Sequence, residues 1–192
     1  LALDGADAGP SVAVIVSGEP EAARRTVRAL KQTAYRGFTD YLVIDTAAPA
    51  ERLNRMAAGR TEDLLLFLDA GTEPTDPRWL SRLVANLNVP GVGVAGGRIV
   101  DAAGTVRDAG VVTGMHDGIA PAPAFAGLSK DAVSYYFCAE VTRNVSAVSG
   151  RCLLTRRDTF EQLGGFDARR YPRALWAVDY SLRVRGRGLR CV

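Results

Sequence analysis

Histidine occurs once in this 192-residue chain, methionine and tryptophan twice each, and cysteine three times. A single histidine excludes multi-histidine metal sites and leaves at most one imidazole acid or base. His116 stands in the turn-like stretch GMHDG, where it reads as an exposed loop residue. Cys138, Cys152 and Cys191 are odd in number and lack C-x-x-C spacing, so neither a disulfide framework nor a zinc site is indicated and a reducing compartment fits. No apolar run approaches the ~18 residues of a membrane-spanning helix, and LALDGADAGP lacks the basic-then-apolar order of a secretory leader. An excess of either charge is also missing: 24 basic residues face 21 acidic ones, too balanced to argue for nucleic acid. Arginine does gather late, in RRDTF, DARRYPR and LRVRGRGLR.

What is present suffices for a folded core: 47% of residues are hydrophobic and 23% charged, ordinary for a chain forming one domain. SVAVIV (11–16) and YLVID (41–45) flank EPEAARRTVRALKQT, giving strand, helix, strand. Pro20 suits a first helical turn, and Ala23, Val27 and Leu30 form an apolar stripe. LLLFLD (64–69) is the next strand; Asp76 and Pro77 then read as an N-cap and first-turn proline of a helix packing through Trp79, Leu80, Leu83, Val84 and Leu87. Apolar strands alternating with helices predict a mostly parallel sheet covered on both faces. Asp45 and Asp69 then stand at carboxyl ends of strands, where open sheets of this kind bind ligands. Singly, each also reads as a turn or N-cap aspartate.

Beyond residue 90, VGVAGGRIVDAAGTVRDAGVV reads as a hairpin leaving the sheet, and GIAPAPAFAGLS, without periodicity, as a loop or lid. VSAVSGRCLLTRRDTF reads as a strand entering a helix, with Asp158 as N-cap and Glu161 completing a capping box. In ALWAVDYSLRVRGRGLR, Leu175, Val178 and Leu182 are expected to share the buried face of a last helix. NVS at 144–146 reads as a chance glycosylation match, and GVGVAGG and GGF are misplaced for a dinucleotide fingerprint.

The ordered set VAVIVSGEP, YLVID, LNRMAAGRTEDLLLFLDAGTEP, RNVSAVSGRCLLTRRDTFEQLGGFD and VDYSLRVRGRGLR closely resembles family 2 glycosyltransferases of the GT-A fold, nearest their rhamnosyltransferase-like branch. The resemblance runs from Ser11 over nearly the whole chain and implies an α/β architecture with a small antiparallel excursion, as a single domain over 1–192 cut from a longer protein. It also implies a nucleotide-sugar donor (UDP- or dTDP-), a glycan or lipid-linked glycan acceptor, inversion at the anomeric carbon, and Mn2+ or Mg2+. The implied setting is bacterial surface polysaccharide synthesis in the cytoplasm or at the inner membrane surface, with other domains of a longer chain as partners and no nucleic acid.

By the same resemblance, Ser17, Gly18 and Glu19 form the loop that cradles the nucleotide, Asp45 is the base-recognition acid, Asp69 opens the metal-binding D-x-D, and Asp179 is the acid left on the late helix for catalysis. Arg143 is expected to face the diphosphate through its paired donors. Ser149 and Gly150 read equally as a place where the sugar meets backbone and as a simple bulge. Arg156, Arg157 and the terminal basic run read as solvated or helix-end cations. The chain departs from the family where acids are expected: Thr46 follows Asp45, Ala70 and Gly71 follow Asp69, and Ala177 falls on the usual base. These departures keep open an alternative, a catalytically inactive module that binds a nucleotide, glycan or partner protein. They also lead to the expectation that acids restored at 71 and 177 would recover metal-dependent nucleotide binding.

Overall fold

The structure, a computed structural model, describes residues 9–44, 50–115, 120–133 and 139–192; Asp45, Thr46, His116 and Cys138 lie outside the described residues. Its elements run β1 (Val12–Ser17), α1 (Pro20–Leu30), β2 (Thr39–Ile44), α2 (Ala50–Ala58), β3 (Leu64–Asp69), α3 (Trp79–Leu87), β4 (Val92–Gly96), β5 (Ile99–Val100), β6 (Val106–Asp108), β7 (Val111–Met115), β8 (Ala120–Pro123), β9 (Cys152–Arg156), α4 (Arg157–Gln162), α5 (Trp176–Gly186) and β10 (Arg190–Cys191).

Six strands form the central sheet in the order β10-β4-β9-β3-β1-β2. β1 pairs in parallel with both β2 and β3, and β10 in parallel with β4; β9 alone runs against its neighbours β3 and β4. The predicted mostly parallel sheet is therefore present, and the antiparallel excursion consists of two small ladders, β5 with β6 and β7 with β8. Among the described residues, no helix is long and apolar enough to cross a membrane.

Strand alternation builds a core on each face. Ala13, Ile15, Leu65, Phe67 and Leu153 point towards α2, α4 and α5, while Val12, Val14, Val16, Leu64, Leu66 and Leu68 point towards α1 and α3. Phe67 is the hub of the first layer, with ring centroids 5.4 Å from Phe160, 4.8 Å from Phe166 and 6.4 Å from Trp176. Tyr180 is fully buried and its hydroxyl meets that of Thr155 at 2.9 Å, so the largest polar tip of this layer has a partner. Cys152 and Cys191 are free and buried, and burial pushes their thiols up to about 12 and about 11, which leaves no reactive thiolate in either core.

Several local expectations are corrected. The Pro-Ala stretch supplies β8 as well as loop; Pro121 and Pro123 are tolerated because β8 pairs with a single neighbour and needs no continuous donor row. α4 starts at Arg157, directly off β9, so Asp158 lies inside the first turn and bonds Thr159, while Glu161 pairs with Arg157 instead of closing a capping box. Asp76 holds the turn before α3 through the Arg78 amide, and the helix itself begins at Trp79. The buried face of α5 is Ala177, Tyr180, Ser181 and Val184; Leu175 and Leu182 are exposed. Arg156 and Arg157, read from the sequence as solvated cations, instead bond the carbonyls of Leu87, Val92 and Glu62.

Because Phe67 joins three aromatic partners in one layer, Phe67→Ala is expected to lower unfolding free energy by about 3–5 kcal/mol. Urea denaturation followed by circular dichroism measures this; a loss below about 1 kcal/mol would show that the layer collapses around the gap.

Candidate functional site at the carboxyl edge of the sheet

One sheet edge collects nearly every residue the sequence singled out. Parallel β1 and β3 end there in Ser17 and Asp69, and β2 ends there just before Asp45. Antiparallel β9 begins at the same edge, so the residues that precede it, Ser149, Gly150 and Arg151, meet those that follow β3: the Asp69 amide donates to the Arg151 carbonyl at 3.1 Å. β4 adds Gly96 and Gly97 from beside β9. The start of α5 closes the group, since a β-carbon on Gly150 would stand 2.5 Å from the Trp176 ring. That contact fills the open side of Gly150 with indole. Leu175, just before the helix, holds a left-handed φ of +62° to make the turn.

The backbone explains why Asp69 is followed by small residues. The Ala70 amide donates to the Ser17 carbonyl at 2.8 Å, and a β-carbon on Gly18 would come within 2.5 Å of the Ala70 methyl, so β1 and β3 end in mutual close contact. Gly71 takes a φ of +89° and donates its amide to Thr26 Oγ1 at 2.8 Å, anchoring the turn to the fully buried hydroxyl of α1. A left-handed turn tied this way favours glycine over any acid. Glu19, placed by the sequence in the nucleotide loop, spends one carboxylate oxygen on the Ala22 amide at 2.9 Å as the N-cap of α1; that bond holds it below the usual carboxylate range.

Three side chains define the electrostatics. Asp69 reaches solvent, yet surrounding protein strips enough water to raise its carboxyl, and the Arg151 charge opposes that rise. Asp108, at the end of β6, is 2% exposed and likewise raised by burial; hydrogen bonds from the Ser149 hydroxyl and the Gly110 amide, and again the Arg151 charge, act against this. Arg151 thus serves both carboxylates. Sequence reasoning passed over Asp108 and Arg151. Asp108 was hidden in a hairpin turn, whereas Arg151 carried a readable signal, a lone cation at the mouth of an apolar strand that faces an acid at the mouth of another.

Two hollows flank Gly97 and Arg98. One of about 310 Å³ is lined by Asp108, Arg143, Ser149 and Val148 among others, and one of about 280 Å³ by Gly71, Thr72, Pro74 and Cys152 among others. Arg143 donates to the Ala109 carbonyl at 2.9 Å and lies 4.9 Å over the Phe125 ring, which positions it on the wall of the first hollow. Asp179 stands in the first turn of α5, with Oδ2 receiving Arg183 Nε at 2.7 Å; Arg183 also holds the Leu163 and Gly165 carbonyls. Oδ1 of Asp179 has no hydrogen-bond partner among the described residues and is not sealed from solvent.

A divalent cation held by protein side chains alone does not fit this donor set. Among the described residues no three His, Cys, Asp or Glu side chains stand together, and Asp69 is flanked by a methyl and a hydrogen where further oxygen ligands are needed.

No family model matches the chain. O-antigen biosynthesis protein RfbC of Myxococcus xanthus is 41% identical over 142 residues, 73% of this chain and 11% of the relative. Uncharacterized protein y4gI of Sinorhizobium fredii is 31% identical over 177 residues, 89% of this chain and 17% of the relative. The chain therefore spans less than a fifth of the length of either relative. Among solved structures, mannosyltransferase PcManGT of Pyrobaculum calidifontis, in complex with GDP-Man and Mn2+, aligns with a TM-score of 0.59 at 15% identity, over 97% of this chain and 56% of its own. GalNAc-T7 with UDP, GalNAc and Mn2+ aligns at 0.63 and 12%, over 95% and 42%. The catalytic domain of Drosophila beta1,4galactosyltransferase 7, in complex with xylobiose, aligns at 0.58 and 16%, over 96% and 64%. Fold and strand order together give this chain the GT-A fold of the glycosyltransferases, with a relative named for O-antigen biosynthesis.

Proposed function

We propose that the chain is the GT-A unit of a longer family 2 glycosyltransferase of the rhamnosyltransferase-like branch. It transfers a sugar, with inversion, from a UDP- or dTDP-sugar to a glycan or lipid-linked glycan of a bacterial surface polysaccharide. The work is done in the cytoplasm, at the inner membrane surface. The observation that carries this reading is the convergence of Ser17, Asp69, Asp108, Ser149 and Arg151 on the carboxyl edge of a GT-A sheet; the O-antigen relative supports the choice of acceptor class.

In the transfer, the acceptor oxygen forms a bond to the anomeric carbon while that carbon's bond to the diphosphate oxygen breaks, and the acceptor proton passes to a carboxylate. We assign that carboxylate to Asp179: Arg183 fixes one of its oxygens, and the other is open for the acceptor hydroxyl. Ser17, Gly18 and Glu19, by their place after β1, border the nucleotide, and Asp45, by its place after β2, takes the nucleobase. Ser149 and Arg143 contact the donor from the wall they share.

Two measurements test this. With a panel of UDP- and dTDP-sugars and a lipid-linked glycan acceptor, Asp179→Asn is expected to lower kcat about 10²- to 10⁴-fold with donor KM little changed. A falling melting temperature with unchanged kcat would instead assign Asp179 to holding Arg183. Restoring the missing acids is expected to fail. Gly71→Asp forces a side chain into a φ of +89°, costing about 1–3 kcal/mol, and Ala177→Asp buries a carboxylate at a position 4% exposed. Thermal unfolding of the double variant is expected to show destabilisation without manganese-dependent nucleotide binding; tight binding that appears with manganese would reverse this view of the turn.

A further inference from the structure

Arg151 is the residue at this edge whose arrangement calls for a ligand. It precedes β9 directly, is partly buried, and shares a backbone hydrogen bond with Asp69 across the two strand ends. Its charge reaches both Asp69 and Asp108. Yet among the described residues neither carboxylate pairs with it within 4.0 Å, and no hydrogen bond engages its guanidinium. An arginine present only to neutralise an acid closes on it, as Arg60 does on Glu62 and Asp40, and Arg183 on Asp179. Arg151 instead acts on two acids through its charge while its guanidinium makes no hydrogen bond among the described residues, and such a planar fork of donors grips phosphate oxygens in pairs.

The residues around Asp69 explain why the charge has to come from here. Gly71 is kept glycine by its φ of +89° and its bond to Thr26, and Ala70 carries only a methyl, so the turn after β3 brings no second acid beside Asp69. The diphosphate of a nucleotide-sugar still requires a counter-charge, both when bound and as it leaves. The neighbouring antiparallel strand brings a cation, Arg151, to the same edge.

We propose that Arg151 supplies the positive charge that binds the donor's diphosphate, so that nucleotide binding at this edge is independent of divalent metal. The inference rests on the nucleotide-sugar reading above. Asp69 and Asp108 then serve as positioning residues that keep the guanidinium extended across the strand ends.

Calorimetric titration of the chain with UDP, dTDP and GDP, once in EDTA and once in manganese chloride, tests this. At least one diphosphate is expected to bind in EDTA with an affinity within about threefold of that in manganese, a difference below ~0.6 kcal/mol. Arg151→Gln is expected to weaken that binding at least about tenfold in both buffers. Arg151→Lys should fall in between, because a point charge replaces a fork. The matching nucleoside, which carries no phosphate, is expected to bind wild type and Arg151→Gln alike, and a merely structural role would fail that comparison. Binding that requires manganese would overturn the inference and leave the nucleotide-sugar reading standing. Equal diphosphate affinity of wild type and Arg151→Gln would do the same. Absence of diphosphate binding in both buffers would overturn both. Should Arg151→Gln not fold, the wild-type comparison between EDTA and manganese decides.

Discussion

Strand β3 is clamped by two different ladders, parallel to β1 on one side and antiparallel to β9 on the other, and the chemistry of the edge follows from where those ladders stop. On the β1 side the last bonds draw Ala70 and Gly18 so close that position 18 has no space for a β-carbon. On the β9 side the reversed direction brings an amino end to the edge, and with it Arg151. A uniformly parallel sheet would have offered another carboxyl end at that place. One reversed strand thus sets an arginine beside an aspartate at the same rim.

The small residues after Asp69 look, in sequence, like losses. In three dimensions Gly71 and Ala70 meet demands of backbone conformation and close packing, and Ala177 meets a demand of burial against the aromatic layer. Substitution by acids at these positions therefore works against folding as well as towards function. The two pressures are separable only at the edge's exposed groups, chiefly Asp69, where a carboxylate reaches water without a packing role.

Much of this architecture was legible because period and composition agreed: the valines and leucines of β1 and β3 are apolar on both faces, as a strand between two helical layers must be. The acids at strand ends followed from topology. Less was legible where a side chain serves two masters. α5 buries Tyr180 and Ser181 in place of Leu182 because their hydroxyls have partners waiting in Thr155, Ala177 and Val148, a fact no apolar stripe announces. β8 was obscured by prolines that an outer strand accepts. Asp108 and Arg151 are distant in sequence from Asp69, and only pairing of β9 with β3, together with the excursion after β4, makes them neighbours.

The same reversal of β9 sorts the helices. α1 and α3 follow strands that end at the functional edge, and α5 begins there against Gly150, so their amino ends face that side, that of α1 already capped by Glu19. α4 follows β9 and begins at the far edge, where the Arg157 amide meets the Asp63 carbonyl. The peptide dipoles of α1, α3 and α5 therefore add at the functional edge, and the one short helix opposed to them has six residues. For an anion nearing this edge, the helix ends add an attraction that works against the repulsion of the Asp69 and Asp108 carboxylates.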